Sequence, residues 1–457
     1  MPSLVVLSDE QVSDLLHSLT SKDLDSLRAV LAEALHEYST GTQEVATCCH
    51  NQPMRQVIPS GKGRTLFMPS QTTSSIGIKV VSMQGCPSTS DSDSVSSASR
   101  SMSSISLGDS SSIVSTTSSH SSHSHSHSHQ PSTQATHFPH HYSAKSSTHR
   151  PSSADHEEAI TSPPDTHPTG TLTLLTPQGI PYAFLSATTL TAFRTALAAT
   201  QLFLKRTRVH TIVIFGAGAQ AYWHLRLALL ARGSEIHHVR IINRTFATAG
   251  PLLRTIYTSP LWADLRTSNP KLDFTVLTKE FGEYPRLLKE YVRDADAIFC
   301  TVPSTEALFP GNYLTNPEGR RKGRYLSMIG SYQKHMCEVS PEVLRAAVDG
   351  TSSKAVRSGG AVVVDSLEAC LQEAGEIIQA GLQAHQLVEL GELIMIKRAQ
   401  VKEVEMGGEH DKGLMAWLQS GNVVYKSVGI GIMDVSVGAE IVRLAREKHV
   451  GVSIDGF

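Results

Sequence analysis

Cysteines at metal-binding spacing, an excess of either charge and long apolar runs are all missing from this chain. Its six cysteines, Cys48, Cys49, Cys86, Cys300, Cys337 and Cys370, include no Cys-x-x-Cys pair. That argues against a metal knuckle or a thioredoxin-like redox centre, and a chain of 457 residues can fold without disulfides. Reduced thiols, no metal site and a cytoplasmic location are therefore expected. Charged residues make up 18 % of the chain and the formal net charge is -2. Such a balance gives no electrostatic basis for binding nucleic acid or an anionic membrane. No run approaches the roughly 18 apolar residues of a membrane span, and MPSLVVLSDEQ lacks the basic region of a secretory signal. Aromatics are scarce at 6 %, yet hydrophobic residues reach 40 %, ample for a core.

The length gives a prior of about two or three domains. LVVL at 4–7 reads as a strand. Ser8 with Gln11, and Thr20 with Asp23, have the spacing of capping boxes ahead of helices. RTLFMP and IGIKVVSM read as strands. From about Cys86 to Thr166 serine, histidine, threonine and proline take over. A segment so polar cannot offset its ordering entropy and is expected to be a disordered insertion. Its alternating Ser-His tract, His120 to His129, has a composition that can bind transition metals, although a mobile polar linker explains it more simply.

Beyond the insertion, GTLTLLTPQGIPYAFLS reads as a hairpin and ATTLTAFRTALAATQLFLKR as a helix. From Thr211 strands and helices alternate. TIVIFG, VRIIN, FTVL, AIFCTV, YLSMIG and AVVVD are the strand candidates, followed by VVYKSVGIG and a closing helix from MDVSV. Such alternation predicts a doubly wound α/β domain with a mainly parallel sheet.

Within that domain, Gly216-Ala217-Gly218-Ala219-Gln220-Ala221 follows an apolar strand and opens a helical stretch. In this context Gly-x-Gly-x-x-Ala is a dinucleotide fingerprint. Gly216 permits the tight turn, Gly218 lets the backbone approach a pyrophosphate, and Ala221 allows close helix–sheet packing. The helix start offers free N–H groups to the phosphates. After the second strand stands Asn243-Arg244-Thr245, with no acid to bind the ribose 2′-hydroxyl. Arg244 and Thr245 can instead hold a 2′-phosphate, so NADP(H) is expected over NAD(H), which stays possible.

Together QPMRQVIP, GIKVV, TAFRTALAA, GAGAQAYWH, VRIINRT, ADAIFCTVPSTEALFPGNYL, IGSYQKHMCEV, VDSLEACLQEAGEI and YKSVGIGIMD resemble, in order, the ornithine cyclodeaminase/mu-crystallin family, most closely its mu-crystallin (ketimine reductase) branch. The resemblance implies a Rossmann-type dinucleotide domain plus an α+β substrate/dimerisation domain, and a homodimer. The expected division is 1–85 and 167–206 for the substrate domain, 86–166 for the insertion, 207–432 for the dinucleotide domain and 433–457 for a helix returning to the substrate domain. Arg55, Lys79 and Arg194 fall on the family's substrate positions, where cations would hold the carboxylate of an amino or imino acid. Lys79 would also relay a proton. Thr301, Val302, Ser427 and Val428, with Lys426 and Gly429 beside the last two, fall on stretches expected near the cofactor, as do Gly330 and Ser331.

One departure matters. Cyclodeaminases of the family carry an aspartate after the glycines of a Gly-Gly-Asp motif, and Ile329-Gly330-Ser331 puts Ser331 in its place. Serine is a poor base at neutral pH, so Ser331 is a candidate catalytic position that argues against proline formation from ornithine. The expected activity is hydride transfer to the C=N carbon of a cyclic imino acid. The alternatives are ornithine cyclodeamination, amino-acid dehydrogenation, and NADPH-dependent ligand binding without catalysis.

Overall fold

A computed structural model describes residues 3–41, 52–60, 63–84, 169–349, 360–396 and 412–457. The expected insertion, 86–166, and its Ser-His tract lie outside them, as do Cys48, Cys49 and Cys86. Among the described residues no helix is long and apolar enough to cross a membrane, and no group of three or more His, Cys, Asp or Glu side chains could hold a metal ion.

The N-terminal sheet has seven strands: β1 Leu4–Leu7, β2 Gln56–Ser60, β3 Gly63–Gln71, β4 Ile76–Gln84, β5 Thr169–Leu175, β6 Pro181–Ser186 and β15 Val452–Ile454. Their order is β15-β1-β6-β5-β4-β3-β2. All neighbours are antiparallel except β1 and β6. Strands β4 and β5 pair from Ile76↔Leu175 to Ser82↔Thr169, so the chain leaves and re-enters this sheet at adjacent points. An insertion there disturbs no ladder. The short strands β2 and β15 were not anticipated; neither has the length or alternation that marks a strand in sequence.

Both capping boxes form. Ser8 Oγ accepts from Gln11 N at 3.2 Å and opens α1, Asp9–His17; Thr20 Oγ1 accepts from Asp23 N at 3.2 Å and opens α2, Ser21–Thr40. Helix α3, Thr188–Phe203, is buried on nearly every face and packs against α4, Ala219–Arg232, of the second domain. The closing helix α8, Gly431–Glu447, lies on β3, β4 and β5 and against α2 and α3. Two glycines permit that approach. A Cβ at Gly77 would stand 2.7 Å from Val435 Cγ2, and one at Gly438 would stand 2.4 Å from Leu172 Cδ2.

The second sheet is parallel throughout, in the order β13-β12-β14-β11-β10-β7-β8-β9. Its strands are β7 Thr211–Phe215, β8 His238–Asn243, β9 Asp273–Thr278, β10 Ala297–Cys300, β11 Tyr325–Met328, β12 Val362–Val364, β13 Leu387–Glu389 and β14 Val423–Lys426. Helix α5 is Phe246–Thr258, α6 Leu367–Glu373 and α7 Gly375–Ala380. From β7 the chain runs outward to β8 and β9, then crosses back to β10. The strand order therefore switches between β7 and β10, where open α/β sheets bind ligands at the carboxyl ends of their strands.

Candidate active site

The strand-switch crevice is built around Gly216. Its φ is +105°, and a Cβ would stand 2.8 Å from Thr301 Oγ1 and 3.1 Å from Val302 Cγ2. Only glycine fits between the ends of β7 and β10 in that conformation. Gly218 is exposed, with open space where a Cβ would be. It precedes α4, whose first turn has no side-chain cap and so leaves N–H groups free. Ala219 is exposed, Gln220 is half-buried, and Ala221 is fully buried where α4 meets the sheet. These residues fit a dinucleotide: a tight turn, an open backbone approach and an uncapped helix start meet at one point. Thr301 turns inward, its hydroxyl donating to Phe215 O at 2.6 Å. Val302 contributes its N–H to Glu338 Oε1 at 2.9 Å. At the end of β8, Asn243 donates to Thr245 O at 3.0 Å, while Arg244 is exposed.

On the substrate side, β4 alternation turns Gly77, Lys79 and Val81 to one face. The closing helix lies on that face and brings Asp434 to Lys79. Asp434 Oδ1 accepts from Lys79 Nζ at 2.9 Å and from Arg194 Nε at 3.1 Å. Lys79 is 2 % exposed, Arg194 3 % and Asp434 0 %; Asp434 Oδ2 has no hydrogen-bond partner. Burial pushes Lys79 down to about 8, against the opposing pull of Asp434 and with the help of Arg194 and, more weakly, Arg55. Two cations share one carboxylate, which leaves a buried excess of positive charge ready for an anion.

Arg55, just before β2, pairs with Glu373 at the end of α6, with Nε to Oε1 at 3.1 Å. It reaches a cleft whose walls include Met68, Ser366, Glu373, Gly429 and Gly431. Gly429 has φ +84°, and a Cβ there would stand 3.2 Å from Arg194 Nη2. Arg194 thus meets the same backbone segment that lines the Arg55 cleft. Asp365, 1 % exposed after β12, shapes this segment. It accepts from Gly429 N and Ser427 Oγ at 2.7 Å each, and from Val428 N at 3.3 Å.

Ser427, Val428 and Ser331 lie deeper than the cleft surface. The Ser427 side chain is committed to Asp365, and Val428 packs in the core beneath the sheet, so this segment meets the cleft through Gly429–Gly431 backbone. Ser331 is fully buried; its hydroxyl donates to Glu376 and accepts from Lys426. Lys426 is likewise fully buried and lies 3.4 Å from Glu376 Oε2. The next residue, Tyr332, lines an open pocket shared with Arg55, Arg64 and Glu373.

Beneath these residues Glu338 fastens the strand ends. Its carboxylate accepts from Val302 N at 2.9 Å, Gly330 N at 2.7 Å and Ser331 N at 3.2 Å. Burial pushes it up to about 7, opposed chiefly by Lys426. Glu376 accepts from Glu338 N at 2.7 Å. Asp365, Glu338, Glu376 and Asp434 were all missed in the sequence. Asp365 and Asp434 stand in the apolar runs AVVVD and GIMDV, a pattern that marks burial with a partner but does not say which partner, while Glu338 and Glu376 carry no such signal.

The Ornithine cyclodeaminase/mu-crystallin family model matches residues 139–259. A Delta(1)-pyrroline-2-carboxylate reductase of Bacillus cereus is 27 % identical over 288 residues, 61 % of this chain and 71 % of that protein. The ketimine reductase mu-crystallin of Mus musculus is 27 % identical over 215 residues, 46 % of this chain and 54 % of that one. Among solved structures, an archaeal alanine dehydrogenase dimer with bound NAD superposes with a TM-score of 0.59 at 16 % identity, covering 100 % of both chains. The Thermococcus litoralis Delta(1)-pyrroline-2-carboxylate reductase in complex with NADH and L-proline gives 0.58 at 16 % identity, covering 98 % of this chain and 99 % of that one. With its parallel sheet joined to a mixed sheet, the chain has the fold of these structures and is similar in sequence to proteins of the ornithine cyclodeaminase/mu-crystallin family.

Proposed function

We propose that this protein is an NAD(P)H-dependent imine reductase acting on an imino acid, a cyclic ketimine carboxylate being the preferred class. The observation that carries this reading is the buried cation excess of Lys79 and Arg194 over Asp434, set against Gly429 in the segment that follows β14. Arg194 and Arg55 would bind the substrate carboxylate and so fix the neighbouring carbon. Orientation of this kind is worth part of the roughly 7–11 kcal/mol available from proximity. Lys79 Nζ would give a proton to the imine nitrogen. At about 8 its pKa lies near neutrality, where a proton donor is both charged and willing to release. The bound nicotinamide would supply the hydride, and Gly216, Gly218 and the start of α4 would hold its pyrophosphate. Asn243, Arg244 and Thr245 favour the 2′-phosphate of NADP(H), with NAD(H) usable.

Cyclodeamination is less favoured because positions 331 and 332 supply a buried serine and a tyrosine rather than an acid. A homodimer in the cytoplasm completes the reading; exposed Val57 and Ile58 on edge strand β2 leave apolar surface for a partner copy. The test is absorbance at 340 nm with NADPH and the six-membered piperideine carboxylate, beside a tube of ornithine with catalytic NAD assayed for proline. Loss of NADPH without proline formation is expected. Proline formation without net absorbance change would establish cyclodeamination instead.

A further inference from the structure

The end of β8 was read in sequence as free of acids, and along the chain it is. The sheet alters that. Strand β9 lies beside β8 with Asn243 opposite Thr278, so the turn after β9 is carried to the loop after β8. In that turn, closed by Phe281 N to Thr278 O at 3.1 Å, stands Glu280. Its Oε2 accepts from Phe246 N at 3.2 Å and from Thr278 Oγ1 at 3.3 Å. Phe246 opens the 13-residue helix α5, and Thr245, its N-cap, makes no side-chain cap. Thr245 Oγ1 instead shares a hydrogen bond with Thr248 Oγ1 at 3.0 Å. The carboxylate of Glu280 therefore sits where the helix start would offer an N–H to an anion, next to Arg244 and Thr245.

We propose that Glu280 is a specificity-determining residue that holds down the affinity for a 2′-phosphorylated cofactor and keeps NADH usable. The inference rests on the dinucleotide reading above. A 2′-phosphate carries about two negative charges near neutrality, as phosphomonoesters do. To reach Arg244, Thr245 and the Phe246 N–H it must displace a carboxylate from that N–H and remain beside it. Like charges at this range repel. NADH brings only a neutral 2′-hydroxyl, which a carboxylate can accept as a hydrogen bond. Arg244 and Glu280 thus act in opposite directions on the same group.

The test is isothermal titration of the full chain with NADH and with NADPH, for wild type, Glu280→Gln and Arg244→Gln. Both substituted side chains are exposed, so the fold should survive. E280Q should tighten NADPH about tenfold, equivalent to about 1.4 kcal/mol, with no gain for NADH. R244Q should weaken NADPH and leave NADH unchanged. An NADPH-to-NADH affinity ratio that shifts less than twofold in E280Q, while wild type still binds NADH, overturns the assignment to Glu280 alone. A wild type that binds neither cofactor overturns the dinucleotide reading and this inference with it.

Discussion

The Gly216 crevice and the Lys79 cluster are built in opposite ways. The dinucleotide end is local: Gly216, Gly218 and Ala221 sit within six residues, and one strand–turn–helix unit creates the site. The substrate end is assembled from distant pieces. Lys79 lies on β4, Arg194 on α3, Asp434 on α8 and Arg55 before β2, with Asp434 standing 355 positions after its partner Lys79. The local end needs only backbone shape, so a motif describes it. The assembled end depends on charge balance in a buried place, so its behaviour follows from which partners the fold supplies.

That contrast can be broken most forcefully at Arg194. Removing one member of a buried charge pair costs about 2–5 kcal/mol. Arg194→Met should therefore lower kcat/KM for a ketimine carboxylate by about 30-fold to several thousand-fold, with NADPH affinity retained. Asp434→Asn comes next. It leaves Lys79 and Arg194 buried without their carboxylate, and stability should fall by about 3–5 kcal/mol, read by denaturant unfolding. Gly218→Val is the corresponding local change. A Cβ at Gly218 meets nothing within 4 Å, so Tm should hold while the added side chain obstructs the pyrophosphate and weakens NADPH binding, read by calorimetry.

A pH profile sharpens the comparison further. The donor must be charged to give its proton. With Lys79 near 8 in the free enzyme, kcat/KM for reduction should be level at lower pH and fall as pH rises through about 8. The reverse oxidation should gain over the same range. Ser331→Ala carries the smallest expected effect on chemistry. It removes a buried hydroxyl that bridges Lys426 and Glu376, so Tm should drop with little change in kcat.

The same division governs what could be read from the sequence. The parallel sheet, the two capping boxes and the turn at Gly216 were legible because each is written in consecutive residues. Strand β2 and strand β15 were not, since their pairing comes from tertiary context rather than alternation. Lys79 and Arg194 were singled out in the sequence, but not that both share Asp434. Ser331 was singled out by register alone, which does not reveal that its hydroxyl meets Glu376 and Lys426. Glu280 shows the limit most plainly: 36 residues beyond Arg244, it reaches the same loop only because β8 and β9 are neighbours.

The central claim is that this cleft recognises an imine through its carboxylate. The direct test is NADPH oxidation by wild type with a cyclic ketimine carboxylate and with the same ring lacking the carboxylate, followed at 340 nm. The account predicts turnover of the first and at most a trace with the second. Equal rates on both, or none on any ketimine carboxylate, would contradict it.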